Sequence, residues 1–137
     1  MIGVMTSAAD LVSMMPFAAT IGMQLDSAEK DVVVGRLPYD ASRTTAGGAV
    51  HGGALMALAD SIGAICAFLN LPPGAGTSTT SSSTVFLRAV RAGDVTATAR
   101  PLHVGRSTIA VRTELRDEQD RFVAQVTQTQ AVLNNDG

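Results

Sequence analysis

The residues most able to do chemistry lie in one segment, where a glycine-rich stretch leads into a long apolar run that holds a single acid. Asp60 is the only charged residue between Gly52 and Leu87. Glycines just before a helix let backbone N–H groups approach a ligand closely, and the first N–H groups of a helix are unpaired donors at the positive end of its dipole. Such donors could polarise a carbonyl group. An unpaired buried carboxylate is costly, so Asp60 should either be satisfied by backbone or arginine or act in catalysis.

The segment from Gly52 to Leu69 predicts the helix that carries both groups. Apolar residues occupy every face, which favours a buried helix, and the prolines in the segment 71–74 end it. Gly52 and Asp60 are eight residues apart, so a straight helix separates them by about 12 Å. One reacting centre cannot touch both groups on the same helix. If two copies of this helix ran antiparallel across a twofold axis, Asp60 of one subunit could approach Gly52 of the other.

The rest of the chain predicts strands. A short helix should begin near Ser7 and Asp10, and a hairpin should pair residues 23–25 with 32–34. The stretch 39–50 is typical of a loop. The hydroxyl-rich run 77–84 is either a flexible linker or, as we favour because Thr prefers strands, a strand continuing through 85–87. Further strands are predicted at 95–99, 107–115 and 122–133. This order indicates an α+β fold in which one sheet wraps one helix, and we expect a single domain over 1–137.

Composition narrows the classes of function. Of the 137 residues, 46% are hydrophobic and 16% charged, below the usual charged share of about 25%, so self-association should cover part of the surface. A net charge of −2 gives no general attraction to nucleic acid or to an anionic membrane. Cys66 stands alone with two histidines, so we expect neither a disulfide nor a zinc site.

Targeting signals are not evident. No Lys or Arg precedes Lys30, and Asp10 interrupts the apolar start, so we expect no secretory signal. Asp60 lies at the centre of the one apolar window long enough to cross a bilayer, where a carboxylate costs about 2.5 kcal/mol or more. We therefore expect a cytoplasmic protein that neither spans nor binds a membrane.

The string 48–54, Gly-Ala-Val-His-Gly-Gly-Ala, followed by Leu58-Ala59-Asp60-Ser61, resembles the signature of hotdog-fold acyl-CoA thioesterases of the PaaI-like group. The resemblance extends over nearly the whole chain, less specifically at 86–94 and 104–107. It implies a hotdog fold, an acyl-CoA substrate, no metal or other cofactor, and a homodimer that pairs further into a tetramer.

The resemblance also implies residue roles. The backbone amide of Gly52 would polarise the thioester carbonyl, and Asp60 of the facing subunit would act as general base or as nucleophile. Thr79 or Thr80 would orient the attacking water. Many relatives carry Asn where this chain has Thr45; either Thr45 partly substitutes for it or the substrate range differs.

Substrate contacts are expected from two regions. His51 and Gly53 would shape the loop against the substrate, with proton transfer by His51 the less favoured alternative. Three arginines would lie at the rim of a CoA groove, since guanidinium groups grip phosphate through paired hydrogen bonds; these are Arg88, Arg91 and Arg106. The alternative function is a module on the same fold that binds acyl-CoA without turning it over.

Overall fold

A six-stranded antiparallel sheet wraps around one long helix in the computed structural model, which describes residues 8–134. The helices are α1 (Ala8–Ser13), α2 (Pro16–Thr20) and α3 (Gly52–Leu69), and a short 3-10 turn spans Ala41–Arg43. The strands are β1 (Gln24–Ala28), β2 (Val33–Leu37), β3 (Gly76–Phe86), β4 (Val95–Val104), β5 (Thr108–Arg116) and β6 (Phe122–Leu133), and they lie in the order β1-β2-β4-β5-β6-β3. The predicted α+β architecture is confirmed.

The core lies between α3 and the inner face of the sheet. Along residues 95–99 of β4 and along β5 every second side chain is buried, as expected of a sheet with one covered face. Leu58, Ile62 and Cys66 of α3 are fully buried against it. The helix ends where predicted, and Asn70 caps it by donating its Nδ2 to the carbonyl of Cys66 at 2.8 Å.

Helix α3 is not buried on every side, and that prediction was wrong for the single subunit. Gly53, Met56 and Asp60 are exposed, and their i, i+3, i+7 spacing places them along one stripe of the helix. The helix is long and apolar enough to cross a membrane, with a mean hydropathy of 1.7, but half of that window is buried inside the fold. It is therefore a core helix with one uncovered stripe.

The hydroxyl-rich run forms strand β3. Residues 76–86 pair with β6 over their whole length, so the linker alternative was wrong and the strand is confirmed. β3 lies at one end of the sheet, and its second edge has no strand partner within residues 8–134. Charged residues and prolines usually protect an edge strand from pairing. β3 contains neither. An unprotected edge of this length is a template for a further strand.

Other boundaries differ from the sequence prediction in understandable ways. β4 continues past Ala99 to Val104, because its ladder with β5 resumes after a bulge at Pro101–His103 that accommodates the missing proline N–H. The loop 39–50 holds the 3-10 turn and a bridge between Thr44 and Val50. Helix α1 is present, while the predicted cap Ser7 lies outside the described residues.

The contact between β2 and α3 generates a test of this packing. A Cβ on Gly35 would overlap the δ-methyl group of Ile62 and lie 2.9 Å from the carbonyl oxygen of Gln24. We expect Gly35→Ala to lower the free energy of unfolding by about 1–3 kcal/mol, the usual cost of overpacking, as measured by urea denaturation. Gly76→Ala is the matched control, because a Cβ there meets nothing within 4 Å. Equal losses in the two variants would contradict this account.

Candidate active site

Asp60 lies where the uncovered stripe of α3 meets β3 and β6. The hydroxyl of Thr79 donates to Asp60 Oδ1 at 2.9 Å, and the side-chain amide of Gln128 donates to the same oxygen at 3.3 Å. The other carboxylate oxygen, Oδ2, accepts no hydrogen bond from residues 8–134. The expectation that Asp60 is buried among apolar side chains was wrong for the single subunit, since the residue is exposed. It is a carboxylate oriented through one oxygen and accessible through the other.

The adjacent residues Thr79 and Thr80 make different hydrogen bonds. Thr79 points toward α3 and contacts Asp60, whereas the hydroxyl of Thr80 donates to the carbonyl of Thr129 at 3.2 Å. The ladder with β6 shifts register between Thr79 and Ser81, and Thr79, which pairs with the inward-facing Gln130, is the residue whose side chain reaches the helix. Of the two candidates, Thr79 is the one placed beside the acid.

Two buried glutamines complete the surroundings of Asp60, and sequence reasoning missed both. Gln128 and Gln130 are each 1% exposed and point inward from β6. The amide of Gln128 donates to Gln130 Oε1 at 2.8 Å, and the amide of Gln130 donates to Thr77 Oγ1 at 3.1 Å. The available signal was the alternation of β6, in which the two glutamines share a face with Val126 and Val132.

The glycine-rich turn forms the entry to α3, about 12 Å along the helix from Asp60. His51 is the N-cap residue, and its Nδ1 accepts from the backbone N–H of Gly53 at 2.8 Å. That bond satisfies one of the unpaired donors of the helix. The N–H of Gly52 makes no hydrogen bond within residues 8–134. His51 thus shapes the turn, and Gly52 keeps a free donor.

Gly52 is packed against an aromatic ring. A Cβ there would lie 3.2 Å from the Phe86 ring, so the ring would have to move by a few tenths of an ångström to admit a side chain at residue 52. Because Phe86 ends β3 while Thr79 lies near its start, α3 and β3 run antiparallel, with Gly52 beside Phe86 and Asp60 beside Thr79.

Thr45 belongs to the loop and not to the surroundings of Asp60. Its backbone N–H donates to the carbonyl of Ala49 at 2.7 Å, and its hydroxyl accepts from the N–H of Gly47 at 3.3 Å. The hydroxyl of Tyr39 donates to the carbonyl of Gly48 at 2.6 Å. Within one subunit Thr45 therefore holds the turn that precedes α3.

The three predicted substrate-binding arginines are not brought together. Arg88 and Arg91 line a polar recess of about 300 Å³, and Arg91 also donates to the carbonyl of Gly47 at 2.7 Å. Arg88 hydrogen-bonds through its backbone to Val123, whereas Arg106 precedes Ser107, which bonds to Val132 at the far end of β6. Nine strand residues span about 30 Å. Within one subunit, Arg106 and Arg88 therefore lie by opposite ends of β6.

A fourth arginine lines the same recess and was not predicted. Arg121 donates from Nε to the carboxylate of Asp117 at 2.8 Å. Burial favours a raised pKa for Asp117, but hydrogen bonds from the backbone and side chain of Arg121 and from the backbone of Gln119 outweigh it and lower that pKa. The ionised Asp117 holds the turn between β5 and β6 and fixes Arg121 at the recess.

An apolar cavity of about 150 Å³ opens beside Asp60. Ala64, one helical turn beyond Asp60, lines it together with Ile65 and Phe68, and Met14 and Met15 close it from the segment between α1 and α2. The cavity could hold a small apolar group next to the carboxylate.

The remaining reactive group does not belong to this site. Cys66 is fully buried in the core, and burial together with the negative charge of Asp31 raises the pKa of its thiol to about 11. A thiol of this kind carries little thiolate at neutral pH. Among the described residues no group of His, Cys, Asp and Glu side chains could hold a metal ion.

The comparisons with known proteins agree with this geometry. Residues 47–124 match the family model described as the thioesterase superfamily. The proofreading thioesterase EntH of Cronobacter turicensis is 31% identical over 101 residues, which cover 74% of each chain.

Solved structures share the whole architecture. The crystal structure of a thioesterase from Haemophilus influenzae has a TM-score of 0.90 and 25% identity, covering 96% of this chain and 94% of that one. The PaaI protein of E. coli, from the phenylacetic acid degradation operon, has a TM-score of 0.83 and 24% identity over 93% of this chain and 91% of its own, and shares the fold. The chain therefore belongs to the thioesterase superfamily, adopts the hotdog fold and is a thioester hydrolase.

Proposed function

We propose that this thioester hydrolase acts on acyl-CoA, with Asp60 of one subunit and the Gly52 amide of a second subunit forming each site. The observation that carries the proposal is the carboxylate of Asp60, held through Oδ1 by Thr79 and Gln128 and open through Oδ2 on the uncovered stripe of α3. An ionisable side chain on an otherwise apolar helix indicates a functional residue.

A dimer follows from the free edge of β3. Two such edges can pair antiparallel about a twofold axis and so remove the open edge from both subunits. The pairing would also cover an apolar patch at the end of β3, where Val85, Phe86 and Leu87 are 54%, 51% and 55% exposed.

The position of the axis follows from the contacts of α3. Thr79 and Phe86 mark the levels of Asp60 and Gly52 on β3, and they pair with Gln130 and Ala124 of β6. The point midway between them lies at Ser83, which pairs with Thr127. An axis through that point sets Thr79 opposite Phe86 of the partner subunit. Asp60 then approaches the entry of the partner's helix, and Met56, midway between Gly52 and Asp60 and 42% exposed, lies at the axis.

The two recesses supply the ends of the substrate. The apolar cavity beside Asp60 would take the acyl group, and its volume of about 150 Å³ suits a short or aromatic acyl chain. The recess lined by Arg88, Arg91 and Arg121 would take phosphates of CoA.

The reaction needs only these groups. The N–H of Gly52 donates to the thioester oxygen, so that negative charge developing there is stabilised. Asp60 removes a proton from water while the water oxygen bonds to the carbonyl carbon and the carbonyl electron pair moves onto oxygen. When the C–S bond breaks, the departing thiolate takes the proton from Asp60. The products are a carboxylic acid and CoA.

The proposed mechanism requires the basicity of the Asp60 carboxylate. Asp60→Asn keeps the shape of the side chain and removes its basicity, so we expect kcat for acyl-CoA hydrolysis to fall by about 100-fold or more, measured by thiol release. Asp26→Asn, an exposed β1 aspartate paired with Arg36 at 3.0 Å, is the matched control and should keep wild-type turnover. Undiminished turnover in Asp60→Asn would refute the mechanism, and binding of acyl-CoA without turnover by the wild type would favour the non-catalytic alternative.

The shared site predicts complementation between two inactive variants. Gly52→Pro removes the N–H, and proline is tolerated at the first position of a helix. We expect little activity from Gly52→Pro or Asp60→Asn alone. In a mixed dimer one of the two sites combines an intact Asp60 with an intact Gly52, so refolding the variants together should restore activity. If mixing restores none while both variants dimerise, the two groups do not come from different subunits.

The cavity beside Asp60 predicts a preference among acyl groups. Ala64→Leu adds carbon to the cavity wall, so we expect kcat/KM for benzoyl-CoA to fall by about tenfold or more relative to acetyl-CoA, measured in parallel assays. Ala110→Leu, a substitution on the outer face of β5, is the control and should leave the ratio unchanged. A ratio unaffected by Ala64→Leu would show that the acyl group binds elsewhere.

A further inference from the structure

The hydroxyl of Thr79 has one proton and two acceptors. It lies 2.9 Å from Asp60 Oδ1 and 2.5 Å from Gln130 Oε1. A hydroxyl donates one hydrogen bond at a time, so when it serves the carboxylate, the Gln130 carbonyl loses its donor from Thr79. If Asp60 carries a proton on its open oxygen Oδ2, Oδ1 is no longer a charged acceptor, and the Thr79 proton can turn to Gln130.

The orientation of both glutamine amides is fixed by their neighbours. Gln130 must present its carbonyl to Gln128 and Thr79, because its amide nitrogen donates to Thr77 Oγ1. Thr77 in turn donates to the carbonyl of Ala131 at 2.8 Å. Reversing Gln128 would aim its carbonyl at the Asp60 carboxylate. The acceptor beside Thr79 is therefore a carbonyl oxygen.

Burying the side-chain amide of Gln128 lowers the stability of the fold. Its Oε1 is buried with no hydrogen-bond partner among residues 8–134, and its carboxamide packs against Gly63, where any Cβ would overlap it. An unsatisfied buried carbonyl is destabilising, and an apolar residue at 128 would avoid it. The arrangement points the amide of Gln128 at Asp60 and Gln130.

We propose that Gln130 and Gln128 are positioning residues that stabilise opposite protonation states of Asp60. Gln130 stabilises the protonated state by accepting a hydrogen bond from the Thr79 hydroxyl. Gln128 stabilises the ionised state by donating a hydrogen bond to the carboxylate. The inference rests on the proposed role of Asp60 as general base. Asp60 takes the proton of water on its open oxygen Oδ2, so Oδ1 loses negative charge and becomes a weaker acceptor. The Thr79 proton then turns to Gln130 Oε1, and it turns back when the thiolate reclaims the proton. No atom or electron is gained or lost in this exchange.

No other charged group faces Asp60 from the elements packed against α3. Strands β3 and β6 hold no titratable residue, and the only one on α3 besides Asp60 is Cys66, which is fully buried in the core. Asp10 of α1 is exposed. The charged residues of β2, β4 and β5 lie at outward-facing positions; they are Arg36, Arg100, His103, Arg112, Glu114 and Arg116. Within the subunit, the two glutamines and Thr79 are the polar side chains that can bias Asp60.

The test is the pH profile of kcat/KM in two isosteric variants. Gln130→Met removes the acceptor that favours protonated Asp60, so its acid limb should move to lower pH. Gln128→Met removes a donor to the ionised carboxylate, so its acid limb should move to higher pH. Each shift should be about 0.5–1 pH unit, the equivalent of one hydrogen bond of ordinary net strength. Gln125→Met, the same change on the opposite face of β6, should leave the profile unmoved.

A second set of variants tests whether Gln130 acts through Thr79. In a Thr79→Val background, Gln130→Met should shift the limb no further, since no hydroxyl remains to be redirected. Gln130→Leu replaces Gln130→Met if the latter does not fold, as judged by circular dichroism. Shifts in the same direction, or none, in the two glutamine variants would overturn the proposal while loss of turnover in Asp60→Asn leaves the proposed function standing. Full turnover in Asp60→Asn would instead overturn the proposed function.

Discussion

The structure depends on one constraint, that helix α3 must bury one side against the sheet while leaving a stripe open for a carboxylate. Leu58, Ile62 and Cys66 satisfy the first requirement, and Met56 and Asp60 lie on the open stripe. A helix that was apolar and covered on all sides could not expose a hydrophilic group to water and substrate. A helix that was polar on its open side would lose the apolar contact that a second subunit can supply.

The edge strand β3 shares that constraint. Its hydroxyl-rich sequence pairs fully with β6 and still leaves one edge of backbone N–H and C=O groups without a partner in residues 8–134. The same strand positions Thr79 at Asp60 and Phe86 at Gly52. In the proposed dimer, this one strand both pairs the subunits and places Asp60 and Gly52, so a change of register at the edge would separate the two groups by the 3.3 Å step of a strand.

The sequence predicted the helix, the order of the strands and Asp60, because these follow from local pattern: an apolar run closed by prolines, alternation in β5, and one acid in an apolar segment. It did not predict Gln128 and Gln130, because polar residues in a strand are ordinarily assigned to its solvent face and their inward direction depends on the pairing of β6 with β3 and β5. The resemblance grouped Arg106 with Arg88, but the two lie by opposite ends of the 12-residue strand β6, which only the strand pairing reveals. The exposure of Asp60 was missed because an apolar helix face can be covered by a second subunit as well as by its own sheet.

The buried amides explain why so exposed an acid can be held in a fixed orientation. Two glutamines that are 1% exposed occupy positions that Val or Leu would fill with less cost to folding. Gln128 and Thr79 hold Oδ1 of the Asp60 carboxylate, and Gln130 accepts from Gln128. The lack of a side chain at Gly63 makes room for Gln128. A rigid strand network is a more exact support than a loop, since its side chains are fixed by backbone pairing on both sides. The stability lost in the core of β6 is thus coupled to the orientation of the Asp60 carboxylate.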